Sequence, residues 1–292
     1  MNGVLIIDKP EGWTSQDVCS KLRGIYQTRR VGHTGTLDPM ATGVLVVFLG
    51  RGTRAVELCE NDEKEYIAEL TLGMVTDTQD TTGVVLETSP VEVSDEALLQ
   101  TLTRFTGPQQ QIPPMYSAIK IGGKKLYDLA RNGQTVERKP RNITISKLEL
   151  LSREGATCTL RIKCSKGTYI RTLCHDIGRA LGCGGCMSSL RRTMAGRFTL
   201  ADAVTLDSVQ EARLNNTHLS LVQPVDTVFA EFPAVTVDAA CEKRGRNGND
   251  FPCRADDGTY RVYSRDGSFL LLGRCTGGTM KTVKSFFEVN EG

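Results

Sequence analysis

The stretch that decides the fold of this 292-residue chain is "GHTGTLDPMATGVLVVFLG", residues 32–50. Its second half, from Val44 to Gly50, is a near-continuous apolar run, which is typical of a strand buried on both faces of a sheet. Its first half, residues 32–43, places one histidine, three threonines and one aspartate between glycines, and such residues do not build a core. Ligands commonly bind where loops meet strand ends. The stretch therefore predicts a functional loop that leads directly into a buried strand.

The segments around this stretch predict both strands and helices. "GVLIIDKP", residues 3–10, predicts a strand that ends at its proline, and alternating apolar residues predict strands at 65–73 and 156–165. Residues 170–181 have helical spacing, and Gly182 follows where a helix commonly ends. Strands and helices do not alternate strictly. We therefore expect an α+β fold with a mixed, largely antiparallel central sheet and flanking helices.

The last part of the chain differs in character from the rest. "TYRVYSRDGSFLLLG", residues 259–273, predicts two short strands joined by an Asp-Gly turn, and more glycines follow. We expect two domains, residues 1–230 and a small β-rich module over residues 231–292.

Composition excludes several classes of protein. The chain is 39% hydrophobic and 24% charged, as in soluble enzymes, and it has no apolar run long enough to predict a membrane span. We expect a cytoplasmic protein. Ten cysteines are scattered along the chain, and only Cys183 and Cys186 form a C-x-x-C pair, without a second pair that would predict zinc. We expect neither a metal nor a cofactor.

The charge of the chain is unevenly distributed. Residues 57–96 contain twelve acidic residues and one lysine, which is typical of a solvated face. Residues 120–141 contain seven basic and two acidic residues, interleaved with aromatic residues, glycines and prolines nearby. Such a mixture favours contact with phosphates and stacking on unpaired bases. We therefore expect an RNA-binding insertion at about residues 113–141.

Asp38 is the candidate catalytic residue of the loop. Because Pro39 follows it, the backbone of Asp38 is biased toward an extended conformation. Gly32, Gly35 and Gly43 permit close backbone approach, and His33 adds a polar ring nearby. A lone Asp-Pro turn usually only links two elements. A twelve-residue polar stretch before a buried strand instead favours a site.

Several collinear segments resemble the TruB family of tRNA pseudouridine synthases. "GHTGTLDPMATGVL" resembles its catalytic motif, and "GVLIIDKPEGWTS" resembles its N-terminal signature. "KEYIAELTLG" with "TDTQDTTG" is similar to the second motif, and "PPMYSAIKIGGKKLYDLAR" is similar to the RNA-binding insertion. "CSKGTYIRTLCHDIG" and "LRRTMAGRF" are similar to the remaining two motifs. The resemblance covers residues 1–205, and small RNA-binding modules of the PUA type occur C-terminally in the family.

The resemblance implies a pseudouridine synthase fold and an isomerase that acts on the T-arm uridine of tRNA at position 55. The bond from ribose C1′ to uracil N1 breaks, and the retained uracil is rejoined through C5. This reaction needs no redox step and no cofactor. The implied partner is the T-arm stem-loop of tRNA, and we expect a monomer.

The resemblance also implies roles for individual residues. Asp38 falls on the essential aspartate, which can attack C1′, add to C6 of the uracil, or act as a base at C2′; the sequence leaves all three routes open. Arg171 falls on the arginine that pairs with the aspartate, and Tyr66 on the tyrosine that stacks against the base. Other positions match substrate-binding ones: His33, Tyr169 and Leu190, together with the basic residues Lys120, Lys124, Lys125, Arg131 and Arg141.

Two other functions are compatible with the residues alone. A non-catalytic RNA-binding or RNA-folding protein would use the basic insertion and would not need Asp38 for any activity. An aspartate-dependent nucleoside hydrolase would release free uracil instead of retaining it. Phosphoryl chemistry is disfavoured, because the loop offers Asp38 no second carboxylate for magnesium.

Overall fold

The protein is represented by a computed structural model that describes residues 1–59, 63–117 and 119–287. Among these residues, no helix is both long and apolar enough to cross a membrane. The α-helices are α1 (Ser15–Tyr26), α2 (Asp95–Arg104), α3 (Leu126–Arg131), α4 (Ile170–Ala180), α5 (Leu206–Leu214) and α6 (Ala239–Arg246). Short 3₁₀ segments occur at Gly50–Leu58, Leu200–Asp202, His218–Leu221 and Val225–Phe229.

The strands fall along the whole chain. They are β1 (Gly3–Lys9), β2 (Val31–Thr34), β3 (Thr42–Leu49), β4 (Lys64–Leu72), β5 (Met74–Thr76), β6 (Val85–Thr88), β7 (Gly107–Gln111), β8 (Lys120–Ile121), β9 (Lys124–Lys125), β10 (Arg141–Glu154), β11 (Thr157–Cys164), β12 (Gly185–Ala195), β13 (Phe198–Thr199), β14 (Val204–Thr205), β15 (Ala234–Thr236), β16 (Phe251–Pro252), β17 (Gly258–Tyr263), β18 (Phe269–Thr276) and β19 (Thr279–Ser285). The chain divides into two compact units, one of Met1–Pro39, Val44–Glu60 and Ala201–Gly292, the other of Met40–Gly43 and Asn61–Leu200.

The first unit has its core between α1, α5 and the strands β1 and β3. Thr14 caps α1, because its hydroxyl accepts from Asp17 N at 3.0 Å while Asp17 Oδ2 accepts from Thr14 N at 2.9 Å. Val18 and Leu22 of α1 pack in one apolar cluster with residues of β1, β3 and α5. From its second residue onward β3 is buried, as the apolar run predicts.

The second unit is built on antiparallel strands. Strand β12 pairs with β4, β4 with β11, β11 with β10, and β10 with β7, all antiparallel. The first two residues of β3 add a parallel strand to β12 at Thr42 and Gly43. In the first unit β1 pairs in parallel with β14. The expected mixed, largely antiparallel sheet with flanking helices is therefore confirmed.

The C-terminal residues form a separate small sheet in the order β15-β17-β18-β19-β16. It has its own apolar cluster, which includes Phe251, Val262, Leu271 and Met280. The β-rich character expected for the end of the chain is present here. The domain boundary at residues 230 and 231 stays a prediction.

The stretch at residues 32–43 is only partly a loop, which corrects the expectation from its polar composition. Its first residues belong to β2, where Gly32 pairs with Phe48 and His33 with Val47. Residues with polar side chains form a strand here because the backbone of β3 supplies hydrogen-bonding partners along its edge. The loop proper therefore spans residues 35–41 and carries Asp38 near its middle.

Candidate active site

The loop that carries Asp38 is anchored on the residue before the aspartate. The buried hydroxyl of Ser15 accepts from Leu37 N at 2.9 Å and donates to Leu37 O at 3.2 Å. Leu37 itself is buried, whereas Asp38 is half-buried. A hydroxyl that both accepts and donates fixes the peptide groups on either side of the Leu37 Cα. The start of α1 thereby fixes the backbone from which the carboxylate projects.

A second anchor holds the residue after Asp38. Lys9 is completely buried, and its Nζ donates to Pro10 O at 2.8 Å, to Trp13 O at 2.6 Å and to Pro39 O at 3.2 Å. Gly12 N also donates to Pro39 O, at 2.8 Å. An ammonium group has three N–H donors, and three carbonyls surround this one. Both neighbours of Asp38 are therefore fixed by hydrogen bonds from the N-terminal part of the chain.

Replacement of Lys9 by methionine is expected to impair both stability and turnover. The change leaves three carbonyl groups without this donor, at a cost of about 1–3 kcal/mol. Loss of the anchor on Pro39 also loosens the Asp38 backbone. The measurements are the thermal midpoint and the single-turnover rate at saturating RNA, with the exposed Lys21→Met as control. A full turnover rate in Lys9→Met would show that the anchor does not serve the aspartate.

Arg171 lies in the first turn of α4 and is almost completely buried, with 6% of its surface exposed. Its Nη1 donates to Thr78 O at 3.0 Å, and its Nη2 donates to Tyr116 O at 2.9 Å. Nη1 also lies 3.4 Å from Asp80 Oδ2. A buried cation needs such partners to offset its lost hydration. The guanidinium is thereby held in one plane and one direction.

Asp80 forms an ion pair with Arg171 and is itself buried. Its Oδ1 accepts from Thr82 N at 3.0 Å, from Thr82 Oγ1 at 2.5 Å and from Thr78 Oγ1 at 2.8 Å. Gln79 Oε1 of the same loop accepts from Thr172 Oγ1 at 2.7 Å. Several donors on one carboxylate oxygen fix the direction in which the carboxylate points. The segment "TDTQDTTG" thus forms an ordered loop that holds Arg171 and Thr172 in the first turn of α4.

Replacement of Asp80 by asparagine is expected to reduce turnover by about 10- to 100-fold, because an amide cannot accept on both sides and lacks the charge that orients Arg171. RNA affinity should change little. The measurements are single-turnover rates at saturating RNA and the dissociation constant, with Asp207→Asn, an exposed acid on α5, as control. A loss of affinity with an unchanged maximal rate would contradict an orienting role for Asp80.

Tyr66 and Leu190 lie on one face of the sheet of the second unit. Tyr66 stands opposite Arg192 of β12 and Ile162 of β11, and Leu190 stands opposite Ala68, two residues beyond Tyr66. Directly paired residues and every second residue of a strand share a face. Tyr66, Leu190 and Arg192 are all buried there. The sheet therefore brings two of the predicted pocket residues together and adds a buried arginine that the sequence analysis missed.

Helix α4, which carries Arg171, packs on this same face. A Cβ on Gly178 of α4 would lie 2.3 Å from Gly185 N of β12, and a Cβ on Gly185 would lie 2.9 Å from Leu70 Cδ1. Leu70 shares the face of Tyr66, since it lies four residues further along β4. Small residues thus allow the helix to approach closely.

Tyr169 forms the N-cap of α4 and is fixed by Gln111 of β7. The Gln111 side chain accepts from Tyr169 N at 2.8 Å and donates to Tyr169 O at 3.0 Å. Of the predicted site residues, the second unit therefore holds Tyr66, Tyr169, Arg171 and Leu190. The first unit holds His33 and Asp38. The pairing of Asp38 with Arg171 stays a prediction.

The predicted RNA-binding insertion contains the short strands β8 and β9 and the helix α3. Lys120, Arg131 and Arg141 are exposed, and the guanidinium of Arg131 lies over the ring of Tyr127, 5.4 Å from its centroid. The side chains of Lys124 and Lys125 lie outside the part of the chain that the structure describes. Exposed cations next to an aromatic ring suit contact with a nucleic acid strand.

The cysteines near the site are reduced and mostly buried. Cys183 and Cys186 of the C-x-x-C pair are both buried free thiols. Burial raises the pKa of Cys186, and it raises the pKa of Cys164 to about 11. Thiols with raised pKa values stay protonated near neutral pH and are poor nucleophiles. In the described ranges no group of three or more His, Cys, Asp or Glu side chains could hold a metal ion.

Comparisons with known proteins show which family the chain belongs to. Residues 23–170 match the model of the TruB family pseudouridylate synthase N-terminal domain, and residues 171–230 match that of the tRNA pseudouridylate synthase B C-terminal domain. A tRNA pseudouridine synthase B of Aromatoleum aromaticum is 44% identical over 95% of this chain and 90% of its own length. One of Clostridium kluyveri is 39% identical over 98% of this chain and all of its own length.

A solved structure shares the fold. The structure described as a Cbf5-Nop10-Gar1 complex contains a chain with 26% identity and a TM-score of 0.74, and the match covers 98% of this chain and 85% of that one. Two family models together match most of the chain, and the relatives match nearly all of it. The chain therefore belongs to the TruB family of pseudouridylate synthases.

Proposed function

We propose that this protein converts the T-arm uridine at position 55 of tRNA to pseudouridine. As a TruB family member the chain is an isomerase of uridine in tRNA. The proposal adds that the target uridine lies in the T arm. The observation that carries the proposal is the fixation of Asp38. Its carboxylate projects from a backbone held on both sides by Ser15 and Lys9. A reacting group must be held in this way before it can attack a bound nucleotide.

Asp38 supplies the chemistry in this proposal. Its carboxylate attacks C1′, adds to C6 of the uracil, or removes the proton from C2′, and each route ends with the retained uracil bonded to C1′ through C5. The Arg171 guanidinium has five N–H donors, so its contacts with Thr78, Tyr116 and Asp80 are compatible with a further carboxylate, that of Asp38. Such a pair holds the carboxylate in one orientation.

The buried face of Tyr66 and Leu190 supplies the pocket for the uracil ring. A uridine in a folded loop reaches such a pocket only after extrusion, which costs a few kcal/mol. Stacking on Tyr66 and phosphate contacts from Lys120, Arg131 and Arg141 offset this cost. We propose an active monomer. We place it in the cytoplasm, with the rest of tRNA maturation, and assign the C-terminal sheet a PUA-like role in tRNA contact.

Product analysis tests the proposal. Unmodified tRNA and an isolated T-arm stem-loop are incubated with the protein without added cofactor. The mass of the intact RNA is recorded, free uracil is assayed, and pseudouridine is located along the RNA by carbodiimide modification and primer extension. We expect pseudouridine at position 55, an unchanged RNA mass and no free uracil. Release of uracil would instead identify a nucleoside hydrolase. Binding without any product would identify a non-catalytic RNA-binding protein.

A further inference from the structure

Trp13, the one tryptophan of the chain, lies beside the loop that carries the candidate catalytic aspartate. Gly12 N donates to Pro39 O at 2.8 Å, and the Ser15 hydroxyl accepts from Leu37 N at 2.9 Å. One of these contacts precedes the tryptophan and the other follows it, and the same two contacts enclose the aspartate on the facing segment. The tryptophan and the aspartate therefore lie on neighbouring pieces of backbone, both within the first unit.

The position of Trp13 is fixed through its backbone. Its carbonyl accepts from Lys9 Nζ at 2.6 Å, and the same ammonium group donates to Pro39 O at 3.2 Å. Gly12, the preceding residue, has a φ of 80°, in the left-handed region that favours glycine, and so permits a tight turn here. Because this anchor uses the carbonyl, replacement of the indole side chain leaves the anchor in place.

The surface of Trp13 is in large part open to solvent. The residue precedes the N-cap of α1, where an apolar side chain often packs against the fourth helical residue, here Val18. Val18 is completely buried, whereas 36% of the Trp13 surface is exposed. Tryptophan is on average highly buried in proteins. An exposed indole beside a reacting group therefore suits a ligand with a flat aromatic face.

The segment around Trp13 is not suited to phosphate binding. Residues 10–17 contain Glu11 and Asp17 and neither lysine nor arginine. Asp17 accepts from Thr14 N at 2.9 Å, so its carboxylate belongs to the cap of α1. Acidic side chains repel phosphate groups, whereas a nucleobase carries no net charge. The segment therefore favours contact with a base over contact with the sugar-phosphate backbone.

Extrusion of a uridine creates a need for such a contact. When one base leaves a folded loop, its neighbours lose a stacking partner, and proteins commonly stack unpaired RNA bases on aromatic side chains. In the proposed function Tyr66 stacks on the target base itself. A base next to the target then needs a second aromatic surface, and Trp13 offers one beside the catalytic loop.

We propose that Trp13 is a substrate-binding residue whose indole stacks on a loop base next to the target uridine. The proposal rests on the proposed function, because it takes the substrate to be RNA. It adds a base contact on the first unit that does not involve the basic insertion.

Fluorescence tests the proposal directly, because all tryptophan emission of the protein comes from Trp13. We expect saturating T-arm stem-loop to quench the emission and to lower the acrylamide quenching constant at least about 2-fold, since a stacked base covers the ring. Saturation is established independently by filter binding. Emission and acrylamide quenching that stay unchanged at saturation would overturn the proposal.

Substitutions separate stacking from simple apolar contact. We expect Trp13→Ala and Trp13→Leu to bind the stem-loop at least about 5-fold more weakly, and Trp13→Phe to retain most of the affinity. The slope of log K against log salt should equal that of wild type, because no phosphate contact is lost. The control is Leu214→Ala, which removes an exposed leucine from α5, and thermal midpoints report on the fold. Full affinity in Trp13→Leu, or an equal loss in Leu214→Ala, would contradict stacking.

Stem-loops that lack one base identify the partner of Trp13. Bases are removed one at a time at each loop position other than the target uridine. At one position the removal should weaken binding by wild type about 5-fold and leave binding by Trp13→Ala unchanged. Equal losses in both proteins at every position would refute the contact. If wild type forms no pseudouridine in the intact stem-loop, the proposed function itself fails; if pseudouridine forms while Trp13 stays uncovered, only this inference fails.

Discussion

Replacement of Asp38 by asparagine is expected to lower the single-turnover rate at least about 1000-fold, which corresponds to about 4 kcal/mol of activation free energy. Asparagine has nearly the same shape as aspartate, so the anchors on Leu37 and Pro39 are retained. It lacks the negative charge and the nucleophilic or basic oxygen that each of the three routes needs. The dissociation constant of the RNA should change by less than about 3-fold, because most affinity comes from phosphate contacts and stacking.

The control for Asp38→Asn is Asp207→Asn, which removes an exposed carboxylate from α5. Thermal midpoints of both variants show whether the fold is intact. A residual rate above a few per cent of wild type in Asp38→Asn would remove the aspartate from the chemistry.

Replacement of Arg171 by alanine is expected to cause the second largest loss of turnover. The change leaves Asp80 as a buried carboxylate without the described ion pair and removes donors from Thr78 O and Tyr116 O. Loss of one partner of a buried ion pair costs about 3–5 kcal/mol of stability, so this variant can fail for structural reasons alone. The more informative variant is Arg171→Lys, which keeps the positive charge and loses the planar guanidinium group.

For Arg171→Lys we expect a turnover rate about 100-fold below wild type, with a smaller fall in thermal midpoint than for Arg171→Ala. The matched control is Arg179→Ala in the last turn of the same helix. Single-turnover rates and RNA affinities are measured separately. An effect confined to affinity would show that Arg171 binds substrate without orienting the catalytic carboxylate.

Local patterns in the sequence were sufficient to predict the main elements. The continuous apolar run of β3 predicts a buried strand, and the alternation in β4 and β11 predicts strands with one buried face. The structure has strands at all three places. Gly182 ends the run of α4 with a positive φ of 80°, as its position predicts. These features depend on neighbours in the chain, so a single sequence contains them.

The supports of the site depend on distant neighbours and were missed. Lys9 is the last residue of β1 and precedes a proline, a position in which lysine is usually solvated. It is nevertheless buried against the carbonyls of three residues. Asp80 lies in a loop that reaches Arg171 only once the second unit has folded. The available signal was an aspartate, Asp80, with four threonines in the segment "TDTQDTTG". Threonine hydroxyls can satisfy a buried carboxylate.

The polar residues of β2 are the reason that the sequence did not predict this strand. Its sequence has a histidine and a glycine where strand propensity is low, and only pairing with the edge of β3 makes it extended. The same paired strand positions His33 ahead of the loop. The part of His33 in substrate binding stays a prediction, as do the roles of Tyr66, Tyr169 and Leu190 around the base.

The most direct test of the account measures release of tritium from C5 of uracil in a T-arm stem-loop, with wild type and Asp38→Asn compared at saturating protein. Bond formation at C5 displaces the label into water without any cofactor. We predict stoichiometric release by wild type, in step with pseudouridine formation, and release at least about 1000-fold slower by Asp38→Asn despite equal RNA binding. Equal release rates for the two proteins would contradict the claim that the fixed carboxylate of Asp38 performs the isomerisation.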